Sequence, residues 1–217
     1  PAGYGKTTTM VSRIAYLYCT GKIPNPRKVL GLTFSVNAAF KIKSDVSSKL
    51  PDLIGDKDNP IGVSDKVTVT NYHGFCKQIL KKYGYLESPF LKKDLNLFRA
   101  IGKYELMKDS KIIQRSVEAN DFLIKMENKI QESTLPSQEE ISRYLGIVYK
   151  LLLPYDLVTH TAIILGALRL LWKYDSVRKF YGKYYSLIVV DEFQDTNCIA
   201  WELLKVIICN NTQLLFL

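Results

Sequence analysis

Near its C-terminal end the chain carries Ser186-Leu187-Ile188-Val189-Val190-Asp191, four aliphatic residues in a row closed by an acid. A strand that is apolar at successive positions has no solvent face, so it belongs inside a parallel sheet covered by helices on both sides. Lys28 to Phe34 (KVLGLTF) reads the same way, and Val67 to Thr70 (VTVT) is a third strand candidate. Helical spacing fills the gaps between them. Met10, Val11, Ile14, Ala15 and Leu17 predict a helix over 6–20 stopped by Gly21. Further helices are expected over 36–50, closed by Pro51, and over 72–83, ended by Gly84, with a surface loop over 51–65.

A strand–helix unit with its crossover takes roughly 30 residues. Three such units fill the chain to about Gly84, and the fourth strand arrives only at Leu187. Between them no strand pattern shows. Helices are expected over 92–107, 113–131, 137–152 and, with breaks, 156–185, followed by one over 199–208 and a last apolar run over 213–217. The expected architecture is an α/β parallel sheet with an all-helical insertion: core residues 1–84, insertion 85–183, core again 184–217.

Charge narrows the partners. With 30 Lys and Arg against 21 Asp and Glu, the chain carries a net charge of +9. Residues 1–76 hold ten basic and five acidic side chains, 77–183 hold nineteen and twelve, and 184–217 hold one and four. A basic body with an acidic end suggests a polyanion partner and a separate cation site, although a solvated lysine-rich surface gives the same arithmetic. No apolar run approaches the ~20 residues that span a bilayer, and the opening residues have no secretory pattern. Four scattered cysteines without a CxxC pair, and only two histidines, offer no zinc set and point to a reducing compartment. The cytoplasm, or the nucleus of a eukaryote, is expected.

Gly5-Lys6-Thr7, preceded by Pro1-Ala2-Gly3-Tyr4 and followed by a helix, matches the phosphate-binding loop G-x-x-x-x-G-K-S/T from its second position onward. Glycine lets backbone N–H groups turn inward on phosphates, and the helix N-terminus adds its dipole. Ala2, Gly3, Tyr4, Gly5, Lys6, Thr7 and Thr8 are thus the candidate nucleotide-binding residues. Lys6 would reach the β/γ-phosphates, and the Thr7 hydroxyl would ligate Mg2+. The acids after the apolar strand complete the set, because α/β folds place ligand chemistry at the C-terminal ends of strands. Asp191 would hold Mg2+, and Glu192 would polarise the attacking water.

Asp191-Glu192-Phe193-Gln194-Asp195-Thr196-Asn197 resembles the DExQDTN box of the UvrD/Rep family of superfamily 1 DNA helicases. The approach Phe180-Tyr181-Gly182-Lys183-Tyr184-Tyr185 is similar to the family's as well. In order along the chain, Pro1 to Thr7 resembles the family's Walker A motif, Leu32 to Ala39 (LTFSVNAA) its motif Ia, and Tyr72-His73-Gly74-Phe75-Cys76 its motif Ib. The resemblance covers the whole chain. It implies a RecA-like P-loop fold, with the insertion as the family's subdomain between the third and fourth core strands. It also implies ATP hydrolysis with Mg2+, coupled to 3′→5′ movement on single-stranded or partly duplex DNA in repair or recombination. Gln194 would couple the γ-phosphate to movement, so Lys6, Glu192 and Gln194 form the expected catalytic set. Motif Ia implies Thr33, Phe34 and Asn37 as DNA contacts, and motif Ib implies Tyr72 and His73. Stacking on bases beside basic side chains is the physics of sequence-independent single-strand binding.

Ser35-Val36 and Asn71 depart from the family's usual residues in motifs Ia and Ib. The family continues past the equivalent of Leu217 into motif III and a second RecA-like domain with arginine fingers, so a further domain of the same polypeptide is the expected partner. The motor of a recombination helicase–nuclease would look alike here, and an ATP-dependent DNA-binding switch without unwinding is the remaining alternative.

Overall fold

The computed structural model describes residues 5–55, 62, 64–108 and 116–217. The chain divides into two compact units. The first comprises Pro1–Tyr72, Lys179–Thr196 and Ile207–Leu217; the second comprises His73–Arg178 and Asn197–Val206.

The first unit is built on a parallel sheet of four strands: β1 (Lys28–Thr33), β2 (Val67–Asn71), β5 (Tyr185–Val190) and β6 (Gln213–Phe216), in the order β2-β1-β5-β6. β5 is buried at all six positions, as a strand with no solvent face must be. Leu32 lies beside both Val190 and Thr70, so β1, β2 and β5 end together at one edge. Helix α1 (Lys6–Cys19) lays Met10, Val11, Ile14 and Leu17 on the sheet. Helix α2 (Val36–Ile54) adds Ile42, Val46 and Leu50, and Val29, Leu187 and Val189 answer from the strands. Gly31, in the middle of β1, allows this approach. A Cβ there would stand 3.1 Å from the Met10 methyl and 3.5 Å from Val69.

Helix α2 runs past its expected stop. Pro51 sits within its last turn rather than closing it, and the helix ends at Gly55 in the left-handed region, φ 76°. A proline that late forfeits one intrahelical hydrogen bond, and the buried ring of Pro51 packs in return. The Gly55 N–H then donates to the Pro51 carbonyl at 3.0 Å. Within the expected loop over 51–65, residues 56–61 and 63 lie outside the described residues.

The second unit holds α3 from His73 on (Tyr72–Tyr83), the short α4 (Lys103–Lys108), α5 (Val117–Gln131), α6 (Gln138–Leu151), α7 (His160–Lys173) and most of α9 (Cys198–Ile207). α8 (Asp175–Tyr184) passes from this unit into the first. Ser137 and Glu140 cap α6 reciprocally. Leu80 of α3 packs within 3.6 Å of where a Gly166 Cβ would stand on α7, which groups α3 with the helices after it.

The expectation of an all-helical segment over 85–183 is corrected. β3 (Arg99–Ile101) and β4 (Leu157–Thr159) pair as a two-stranded parallel sheet, in register Arg99 with Leu157 and Ile101 with Thr159. In place of a helix over 92–107 there are 3-10 turns at Pro89–Lys92 and Leu95–Leu97, then β3, then α4. Each strand is three residues long, too short to show a period of two, and each gains its hydrogen bonds from a partner far away in sequence.

Candidate functional site

Gly5 opens α1 in the left-handed region, φ 80°, and no described side chain caps the helix. A Cβ there would meet nothing within 4 Å, so the dihedral rather than crowding selects glycine. The Thr9 N–H already donates to the Gly5 carbonyl at 2.8 Å. The first-turn amides of Lys6, Thr7 and Thr8 therefore form an uncapped helix start suited to an anion. The candidates Ala2, Gly3 and Tyr4 lie outside the described residues.

The acids arrive from the other end of the chain. The Asp191 N–H continues the ladder of β5 by donating to the Leu32 carbonyl at 2.9 Å. Glu192 then turns into the left-handed region, φ 52° and ψ 52°, a conformation in which a residue with a Cβ is strained. That turn brings Glu192 to α1, where Lys6 Nζ donates to Glu192 Oε1 at 2.9 Å. Gln194 Nε2 donates to the other carboxylate oxygen. Phe193 packs against Phe216 of β6 with ring centroids 4.3 Å apart, and this holds the turn in place.

These contacts set the charges. The hydrogen bond from Lys6, then that from Gln194, holds the Glu192 carboxyl below its ordinary range. The same bond holds the Lys6 ammonium above its own. Asp191 moves the other way: burial pushes its carboxyl up, and the neighbouring Glu192 adds to the rise. A cation placed beside Asp191 would relieve both.

A cavity of about 440 Å3 opens here. Gly5, Lys6, Thr7, Thr8, Asp191 and Glu192 line it, together with one face of α2. The Thr7 hydroxyl and the Asp191 carboxylate are hard oxygen donors within this lining, and no cluster of three or more His, Cys, Asp or Glu among the described residues could cage a metal. That donor set fits Mg2+, which takes one or two protein oxygens and completes its shell with phosphates and water. Beyond Ala38 of the motif Ia segment, the α2 wall (Lys41, Ile42, Asp45 and Lys49) escapes motif reading; its only signal is helical spacing, which places those positions on one face.

The motif Ia and Ib candidates fare unevenly. Phe34 follows β1 and is 37% exposed, and its ring stands 5.2 Å from that of the buried Tyr72. Asn37 is exposed in the first turn of α2. The Thr33 side chain, expected to contact DNA, is 1% exposed, and its hydroxyl donates to the Ser35 carbonyl at 2.8 Å. Tyr72, 3% exposed, likewise presents no face to a strand and supports the Phe34 ring instead. Phe40 and Val36 are more exposed than Phe34, at 69% and 55%, and line a cleft of about 250 Å3 with Lys43 and Val69. Phe40 escapes motif reading, because an aromatic at a helical position usually means core.

His73 belongs to the second unit, where its ring meets that of His160 edge-on at 5.3 Å. Burial, then His160 and Lys77, lowers it to about 4. It is neutral at pH 7, so a contact with nucleic acid through it would be a hydrogen bond and not an ion pair.

No helix among the described residues is long and apolar enough to cross a membrane. Compared with known proteins, the chain is 27% identical to a probable DNA helicase II homolog of Mycoplasma genitalium over 98% of its length, and this covers 31% of that relative. It is 26% identical to the ATP-dependent DNA helicase PcrA of Staphylococcus aureus over 95% of its length, covering 28% of that protein. The chain therefore spans less than a third of these curated relatives. The model of the UvrD/REP helicase N-terminal domain matches residues 1–217. An uncapped helix start joined by Lys6 to the acidic end of β5, in a chain matched from end to end by that model, places the protein in the UvrD/REP helicase N-terminal domain family.

Proposed function

We propose that the chain binds ATP with Mg2+ and forms the N-terminal motor part of a DNA helicase that moves 3′→5′ along single-stranded DNA. The observation that carries the reading is the 2.9 Å pair of Lys6 with Glu192, residues 186 positions apart. A structural ion pair on an open surface contributes little to stability. The same pair at an uncapped helix start, beside the half-buried Asp191, is what a phosphoryl-transfer site would need.

Each residue has a role in the reading. The first-turn amides and Lys6 receive the phosphates. Thr7 and Asp191 would hold Mg2+, which neutralises charge on the β- and γ-phosphates when bound. Glu192 orients and polarises the attacking water, and its lowered pKa keeps it ionised for that task. Gln194, bonded to Glu192, reports the state of the site to the residues around it. Lys6 cannot serve Glu192 and a phosphate equally, so nucleotide entry draws it from the carboxylate and leaves Glu192 free for water. Single-stranded DNA would pass over Phe34 and Asn37. The relatives are about three times as long as the chain, and we place the arginine charges of a second RecA-like domain in the rest of such a protein. Such a finger is worth ~10³–10⁵ in rate, so residues 1–217 alone should turn over slowly. The four cysteines are all unpaired, in keeping with a cytoplasmic or nuclear setting.

Calorimetric titration of the protein with MgATP tests the reading. Wild type should bind, and Lys6→Ala should lose about 30- to 100-fold in affinity, as expected for a charge-assisted bond to phosphate. Equal affinity in the two proteins would refute it.

A further inference from the structure

The α2 wall of the nucleotide cavity carries charges that the family motifs do not assign. Three lysines line the cavity, Lys6, Lys41 and Lys49, against three acids, Asp45, Asp191 and Glu192. Two of the lysines are engaged. Lys6 is held by Glu192 at 2.9 Å, and Lys49 by Asp45, one turn before it, also at 2.9 Å. Lys41 has no ion-pair partner among the described residues, and its side chain is exposed at the cavity. The amides at the start of α2 do not compete for an anion here, because the Ser35 hydroxyl already accepts from the Ala38 N–H at 2.9 Å.

We infer that Lys41 is a second phosphate-binding cation, which receives a bound nucleoside triphosphate from the α2 wall. The inference rests on the nucleotide reading given above. A triphosphate brings more negative charge than one lysine and one divalent cation neutralise, and Lys6 must first leave Glu192. Lys41 is open from the outset. Ala38 and Ile42, beside it on the same face of α2, supply an apolar wall that keeps the ammonium turned toward the open part of the cavity. Asp45 and Lys49 neutralise each other further along the helix and leave Lys41 as the wall's net charge.

The test compares MgATP and adenosine binding to wild type, Lys6→Ala, Lys41→Ala and Lys41→Arg, with a thermal melt of each. Lys41→Ala should weaken MgATP by about five- to tenfold, a charge-assisted bond discounted for exposure. It should leave adenosine binding and the melt unchanged, and Lys41→Arg should restore most of the loss. If Lys6→Ala weakens MgATP while Lys41→Ala stays within twofold of wild type, the role of Lys41 is refuted and the nucleotide site stands. If Lys41→Ala weakens adenosine as much as MgATP, or lowers the melt by several degrees, the effect is structural and the inference fails. If neither lysine matters to MgATP, the nucleotide reading fails and the inference with it.

Discussion

β5 and β1 lie side by side in one sheet and stop at the same edge, yet their ends are built on different principles. β5 ends in charges that are completed only by a residue 186 positions away, through a strained Glu192 that swings its carboxylate to Lys6. β1 ends in a turn that satisfies itself. Thr33 donates to the Ser35 carbonyl, and Ser35 caps α2, while Phe34 is left exposed on the buried Tyr72. The first end suits chemistry, since it holds opposed charges in a cavity. The second suits a surface on which a planar base can rest, since its polar groups are spent and its aromatic ring is open. Substitutions at the two ends should therefore separate cleanly.

The largest separation is expected for Lys6→Ala in the complete protein. Removing a donor aimed at developing phosphate charge should cut turnover by ~10²–10³-fold, with single-strand affinity unchanged. A parallel loss of DNA affinity would mean that the two ends are not independent.

Next in size is a pH effect outside both ends. His73 is held near 4 against an ordinary 6.5, so below pH 6.5 the unfolded chain takes up a proton that the folded unit refuses. Its contribution is whole above pH 6.5 and is lost as pH falls toward 4, by up to about 3 kcal/mol. Urea unfolding from pH 7 to pH 4 should show wild type losing more stability than His73→Gln; equal slopes would count against the buried, neutral imidazole.

Phe34→Ala should weaken single-strand binding by ~1–3 kcal/mol and leave its salt slope unchanged, because stacking releases no counterions. With the ring already more than a third exposed, the fold should survive. Undiminished affinity in a folded variant would remove the stacking role. Thr33→Val is the smallest: a loss of about 0.5–1.5 kcal/mol in stability from the missing bond to Ser35, and no change in DNA affinity.

Much of this was legible beforehand, and the failures share a cause. β5 and α1 each carry their own periodicity over many residues, and Gly5-Lys6-Thr7 and Asp191-Glu192, picked out by residue type, line one cavity. β3 and β4 carry no such signal, since three residues make strands only when a distant partner supplies the bonds. The burial of the Thr33 and Tyr72 side chains is hidden from the sequence for a related reason. Residue type and motif position identify a segment, but which of its side chains face outward is decided by tertiary packing. Pro51 shows the same override, its burial sustaining a helical turn that local rules would end. The α2 wall was missed because lysines spaced along a helix usually describe a solvated face.

The central claim is that the uncapped start of α1 and the acidic end of β5 form one catalytic site, with Glu192 as the base. Glu192→Gln tests it most directly, measured in the complete protein by MgATP affinity and DNA-stimulated phosphate release. The substitution removes the negative charge that holds Lys6 and leaves Asp191 and Thr7 in place. MgATP should bind at least as tightly as to wild type, while turnover falls by ~10²–10⁴-fold, the usual worth of a positioned base. Turnover at the wild-type rate would contradict the account.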